Sequence, residues 1–212
     1  MSTLEADDVV WDLSDLLHGR DDEAAVAELL DQADTLADEL ASKRGQVASW
    51  DPGELAGFMH RQAELSDVLG RAGSWASLRF SVDVNDPTRG ALMQKVQERA
   101  TAMSTKLLWF ELEWAALADE QVDILLADER LTFAGHHLRS ARRYREHLLT
   151  EPEERILTEK SVTGRSAWTR LFSELTSTIE VELDGATSTL EEALSRLASP
   201  EPEVRAASAA AD

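Results

Sequence analysis

Five histidines, His18, His60, His136, His137 and His147, are the side chains of this 212-residue sequence best suited to hold a metal, and their spacing does not suit one. A helical zinc hydrolase needs two neutral imidazoles four residues apart, H-E-x-x-H, so that both ring nitrogens reach one ion while the glutamate polarises water. No such string occurs. His136 and His137 are adjacent, and neighbours on a helix point about 100° apart. A metal pair held by carboxylates in a helical bundle needs a Glu three residues before a His on each of two helices. The residues at that offset are Gly57, Phe133, Ala134 and Tyr144, and only His18 has a carboxylate there, Asp15. The histidines are expected on the surface or in packing roles, with no catalytic, cofactor-binding or metal-binding residue in this chain.

The remaining candidates point the same way. Arg139, Arg142, Arg143 and Arg145 form a basic cluster, and Arg grips carboxylate or phosphate in a two-pronged fork. With 41 acidic residues against 21 basic, the cluster is expected to pair internally, with Glu146, Glu151, Glu153 and Glu154 close by in sequence. The same excess removes any meaning from carboxylate pairs, since spacings suited to acid-base chemistry arise by chance. Trp75, Trp109, Phe110, Trp114, Trp168 and Phe172 fall mostly on helical stripes and are expected in the core. There is no phosphate-binding loop, and the absence of cysteine excludes a disulfide, a thiol nucleophile and a thiolate-bound metal.

The net charge of −20 repels the phosphates of nucleic acid and anionic membranes, so neither is an expected partner. Residues 1–42 carry thirteen Asp or Glu against Arg20 alone, which predicts a solvated acidic face on the first helix. The stretch Met1–Asp8 lacks the basic and apolar regions of a signal peptide, and no segment approaches the ~20 apolar residues that span a bilayer, so the expected location is cytoplasmic.

Periodicity predicts the elements that would carry these residues. A helix should begin near Asp21 or Asp22, with Val26, Leu29, Leu30, Ala33, Leu36, Ala37 and Leu40 on one face. Asp51-Pro52 supplies an N-cap and first-turn proline for a second helix reaching about Val82. Asn85-Asp86-Pro87 opens a third, which runs through Val96, Met103, Phe110 and Trp114 to about Ala118. Shorter helices are expected over 119–127, 132–144, 152–160, 166–176 and 190–197, with Thr163-Gly164 as a break. Ile179, Val181 and Leu183 alternate with acidic residues before Asp184-Gly185, a hairpin signature. The Ala-rich stretch Val204–Asp212 reads as an interrupted helix. The expected fold is all-α, an elongated bundle of long antiparallel helices with one small hairpin near residues 178–189. Two lobes are expected, 1–118 and 119–212.

The order of several motifs resembles the N-terminal region of the oligoendopeptidase F family of thimet-like zinc metallopeptidases. They are Trp11–Leu16 (WDLSDL), Leu92–Glu98 (LMQKVQE), Leu108–Glu113 (LWFELE) and the longer run Arg142–Leu149, Glu151–Leu157 and Thr163–Phe172. Thr189–Leu194 and Val204–Ala207 continue the likeness, while Glu146 departs from it where relatives often have Pro before the His. The resemblance implies a helical, noncatalytic region forming part of one wall of a narrow cleft for short peptides. It also implies that zinc and its H-E-x-x-H ligands belong to the catalytic half of a full-length relative, so the chain alone is expected to be inactive. Apolar surface that the other half would cover is expected to be exposed and to allow self-association. The alternative is a free-standing helical module that binds peptides or a protein partner.

Overall fold

The computed structural model describes residues 11–210, so the reading of Met1–Asp8 and the end of the Ala-rich stretch lie outside the described residues. Helix α1 (Glu23–Ala41) begins where the acidic pair predicts, because the Asp22 carboxylate accepts the Ala25 N–H at 2.8 Å. Its predicted stripe is buried throughout. Helix α2 (Pro52–Val82) opens on a reciprocal cap: Asp51 accepts from the Gly53 and Glu54 N–H groups, and the Glu54 carboxylate accepts from the Asp51 N–H at 2.9 Å. Asp86 caps α3 (Pro87–Ala116) one-sidedly, accepting from the Thr88 and Arg89 N–H groups, with Pro87 at its first position.

Ion pairs between these helices show how they run. Asp21 meets Trp75 and Arg79, and Glu39 meets Arg61, so α1 and α2 are antiparallel. Arg99 pairs with Asp31 and Asp34, and Lys106 with Asp38, so α1 and α3 are parallel. The acidic face of α1 is therefore not only solvated; it meets a basic edge of α3. Such exposed pairs set register more than they stabilise. Between the helices, Trp50, Phe58, Trp109 and Phe110 form an aromatic cluster with ring centroids 4.5–6.5 Å apart. Trp75 and Trp114 are also fully buried.

Helices α4 (Asp119–Leu126) and α5 (Gly135–Arg142) add Val122, Leu125 and Leu138 to the same core, and Leu131 between them joins it, so that it includes residues from Leu17 to Leu138. The helix predicted over 132–144 is shorter than expected. Asp128 accepts the Arg130 N–H and tightens Glu129–Leu131 into a 3-10 turn, so α-helical bonding starts only at Gly135.

Helix α6 (Glu151–Ser161) packs against α3. The predicted break at Thr163-Gly164 does not occur. Residues Val162–Ser166 form a π turn that leads without interruption into α7 (Ala167–Ser177). A helical glycine costs only about 1 kcal/mol relative to alanine, too little to end a helix otherwise supported on both sides. Strands β1 (Glu180–Leu183) and β2 (Ala186–Thr189) pair antiparallel as the alternation predicts. Asp184 and Gly185 both take positive φ, 54° and 80°, the geometry a two-residue hairpin loop requires. Val181 and Leu183 point inward to a small second cluster with Ala193 of α8 (Leu190–Arg196), and α9 (Pro202–Ala209) follows. The described residues thus form an all-α bundle with one two-stranded hairpin.

Candidate functional site

The residues capable of chemistry do not converge. Among the described residues, no three His, Asp or Glu side chains are grouped to hold a metal. His60 stacks flat on Phe133 at 4.0 Å, His136 lies 3.5 Å from the Ser140 hydroxyl, and His147 ends an exposed 3-10 turn. These positions do not fit a zinc centre, and no step can be built on them.

Two of the four clustered arginines, Arg142 and Arg145, have structural roles, with a different acidic partner from those expected. The Arg142 guanidinium, nearly buried, donates to the carbonyls of Trp114 at 2.6 Å and Leu117 at 2.9 Å, and to Asp119 at 2.5 Å. It pairs the Leu117 carbonyl and adds a shorter bond to the Trp114 carbonyl, which also accepts the Leu117 N–H at 3.4 Å, at the end of α3 where a cation meets the negative end of the helix. Arg145 reaches Asp119 as well, at 3.1 Å. The hydrogen bond from Arg142, with the charge of Arg145 behind it, holds the Asp119 carboxyl below its ordinary range. Of the four nearby glutamates, Glu151 pairs instead with Arg44, and Glu153 caps α6 through Thr150.

The feature that departs most from expectation is α7. Trp168, Leu171, Phe172 and Leu175 form one stripe at helical spacing, and they are 70%, 40%, 68% and 58% exposed. The opposite side, which meets the bundle, carries Arg170, Ser173 and Glu174, all half-buried. Arg170 donates to Gln94 of α3 at 2.9 Å and pairs with Glu174. The helix is thus inverted: its polar side faces the protein and its apolar side faces solvent. Two clefts flank it. One of about 570 Å³ lies between Phe172, Leu194 and the end of α2 at Val82; the other, about 540 Å³, lies between Leu171, Leu175 and the start of α3.

Trp168 and Phe172 are therefore not core residues, unlike Trp75, Trp109, Phe110 and Trp114. Periodicity identifies the stripe but not the side from which it will be covered. Contiguous apolar surface of this kind marks an interaction site.

Comparison with known proteins gives this surface a context. Residues 113–180, from the end of α3 through α7 to the start of β1, match the N-terminal family model described as oligopeptidase F. The Arg142–Phe172 motifs lie inside that match; Trp11–Leu16 and Leu92–Glu98 lie outside it. No curated protein matches the chain. Its fold is similar to that of oligoendopeptidase F from Enterococcus faecium, with a TM-score of 0.72 at 17% identity, covering 88% of this chain and 38% of that one. It is also similar to a protein of Chlamydophila abortus provisionally named a peptidase, with a TM-score of 0.54 at 17% identity, covering 94% of this chain and 34% of that one. The chain thus spans little more than a third of the length of either structure. Over residues 113–180 the sequence thus matches the N-terminal family model described as oligopeptidase F, and over most of its length the chain shares the fold of these two solved structures.

Proposed function

We propose that this chain is a noncatalytic N-terminal region of an oligoendopeptidase F-like zinc metallopeptidase that cleaves short peptides, and that it forms part of one wall of the substrate cleft. The observation that carries the reading is the family match over residues 113–180, a segment that includes α7, whose apolar side faces outward. Zinc ligands would come from sequence outside these 212 residues. Short peptides are the partners of the complete enzyme in this proposal, nucleic acid and membranes are not, and the setting is cytoplasmic. No helix among the described residues is long and apolar enough to cross a membrane.

The test is to express the 212 residues and measure bound zinc together with cleavage of a short internally quenched peptide, with and without chelator. Neither is expected. Stoichiometric zinc with chelator-sensitive cleavage would show a complete active site in this chain and overturn the reading. The division into lobes at residues 118 and 119 is also a proposal, and limited proteolysis followed by mass mapping tests it. Cuts that cluster elsewhere and leave 11–143 as one resistant piece would remove that boundary.

The outward-facing stripe of α7 favours a second reading, a free-standing module that binds peptide or protein through the flanking clefts. The downstream reading frame separates the two. A continuous frame encoding H-E-x-x-H supports the peptidase region, and a stop after Asp212 supports the module.

A further inference from the structure

The apolar side of α7 coincides with an unusual charge balance. From Arg139 to Glu174 there are eight Arg or Lys against six Glu, a surplus of two positive charges in a chain whose net charge is −20. Of the sixteen large apolar side chains exposed among the described residues, nine lie between Tyr144 and Ile179. Two copies of so acidic a protein repel one another over most of their surfaces. The charge around α7 is close to balanced, so a contact made here brings little of that repulsion into the interface, and here the exposed apolar side chains are most concentrated.

We propose that the occupant of this face is a second copy of the chain, with the two α7 helices crossing antiparallel about a two-fold axis. The stripe suits that symmetry. An axis between Leu171 and Phe172 sets Leu171 against Phe172 of the other copy and Trp168 against Leu175, so each apolar residue meets another. A closed two-fold contact requires this self-matching of one patch. Covering Trp168, Leu171, Phe172, Leu175 and Leu194 removes on the order of 600 Å² from each copy, near the lower bound for a specific interface. Interfaces at this end of the size range are mostly weak and transient, so monomer and dimer are expected in concentration-dependent equilibrium. Arg165 lies at the edge of the stripe, and no acidic residue of α7 lies on it. The inference stands on this surface alone and does not depend on the peptidase reading.

Sedimentation equilibrium of the full 212-residue chain tests it. The weight-average mass should rise with concentration from the 23.4 kDa of one chain to twice that value and no further. Added salt should favour the dimer, because it screens the repulsion of the acidic surfaces while leaving apolar contact intact. Leu175→Glu removes nothing from the core and should hold the mass at one chain over the same range, with the helical circular dichroism unchanged. As the sequence has no cysteine, Leu171→Cys provides an independent reading: mild oxidation should link it to its symmetry mate, while Ile124→Cys, exposed on α4, should stay unlinked. A monomer at every concentration, as expected if only a longer polypeptide covers the face, overturns the proposal. So does growth beyond a dimer, or a dimer that survives Leu175→Glu.

Discussion

Arg142→Ala removes three contacts that hold the end of α3 to the start of α4. Two are charge-assisted hydrogen bonds to the carbonyls of Trp114 and Leu117, at 2.6 and 2.9 Å, from a side chain with only 10% of its surface exposed. At the low end of the range for hydrogen bonds to charged groups, about 1.5 kcal/mol each, their loss amounts to about 3 kcal/mol. The third contact, to Asp119, adds little because that carboxylate is 70% exposed and water replaces the bond. For a chain of this length the change lowers Tm by roughly 6–12 °C. Urea unfolding followed by circular dichroism and by tryptophan fluorescence measures it, since the Trp114 carbonyl is one of the two that accept from Arg142. Arg142→Lys should retain part of the stability, since an ammonium keeps the charge at the helix end but cannot bridge two carbonyls and a carboxylate. Asp119→Ala should be nearly silent. The reasoning fails if Arg142→Ala lies within about 0.5 kcal/mol of the parent, or if Asp119→Ala destabilises as much as Arg142→Ala does.

Three further outcomes follow from the same structure. Trp114 donates its indole N–H to the Leu138 carbonyl at 3.0 Å, whereas the buried indole N–H of Trp109 has no partner, so Trp114→Phe should cost about 1 kcal/mol more than Trp109→Phe in urea titrations. A Cβ on Gly164 would meet nothing within 4 Å, and its φ is not in the left-handed region, so Gly164→Ala should raise stability by about 0.5–1 kcal/mol; a loss instead would mean the π turn needs glycine. Asp128 is lowered from 3.8 to about 2, mainly by the hydrogen bond from the Arg130 guanidinium and then by the Arg130 N–H. Because the folded value is depressed, its stabilising contribution is complete above the usual 3.8 and is lost as pH falls towards 2. Carboxyl chemical shifts should show that low midpoint, and Arg130→Gln should move it up.

Most of the fold can be read from residues that act locally. Asp22, Asp51 and Asp86 each sit where a carboxylate satisfies free N–H groups, and Asp184-Gly185 sits where positive φ is needed, so helix starts and the hairpin turn follow from single positions. The errors arise where a local preference competes with packing. Gly164 carries a helix-breaking signal, but α6 packs on α3 and Arg170 of α7 bonds Gln94 of the same helix, and a small propensity cost cannot separate them. The candidate surface was legible only in part. The spacing of Trp168, Leu171, Phe172 and Leu175 marks an amphipathic helix, yet a hydrophobic stripe looks the same in sequence whether its own domain or another molecule covers it. Arg142 shows the same limit: its need for a partner is evident, but Asp119 and two backbone carbonyls become neighbours only in three dimensions.

The π turn over Val162–Ser166 has a consequence for how this segment tolerates length changes. Each residue of an α-helix advances the side-chain direction by about 100°, so one residue more or less ahead of α7 turns every later side chain by more than a quarter of a revolution. The widened turn absorbs the phase of one additional residue without breaking the rod. Shortening it by a single residue would leave a regular helix of equal apolarity and similar propensity, but would rotate the tryptophan stripe from the outer surface towards α2 or α3. The orientation of that surface is therefore set by a count of residues rather than by their chemistry, and a deletion here would alter partner contact while leaving composition and helix content almost unchanged.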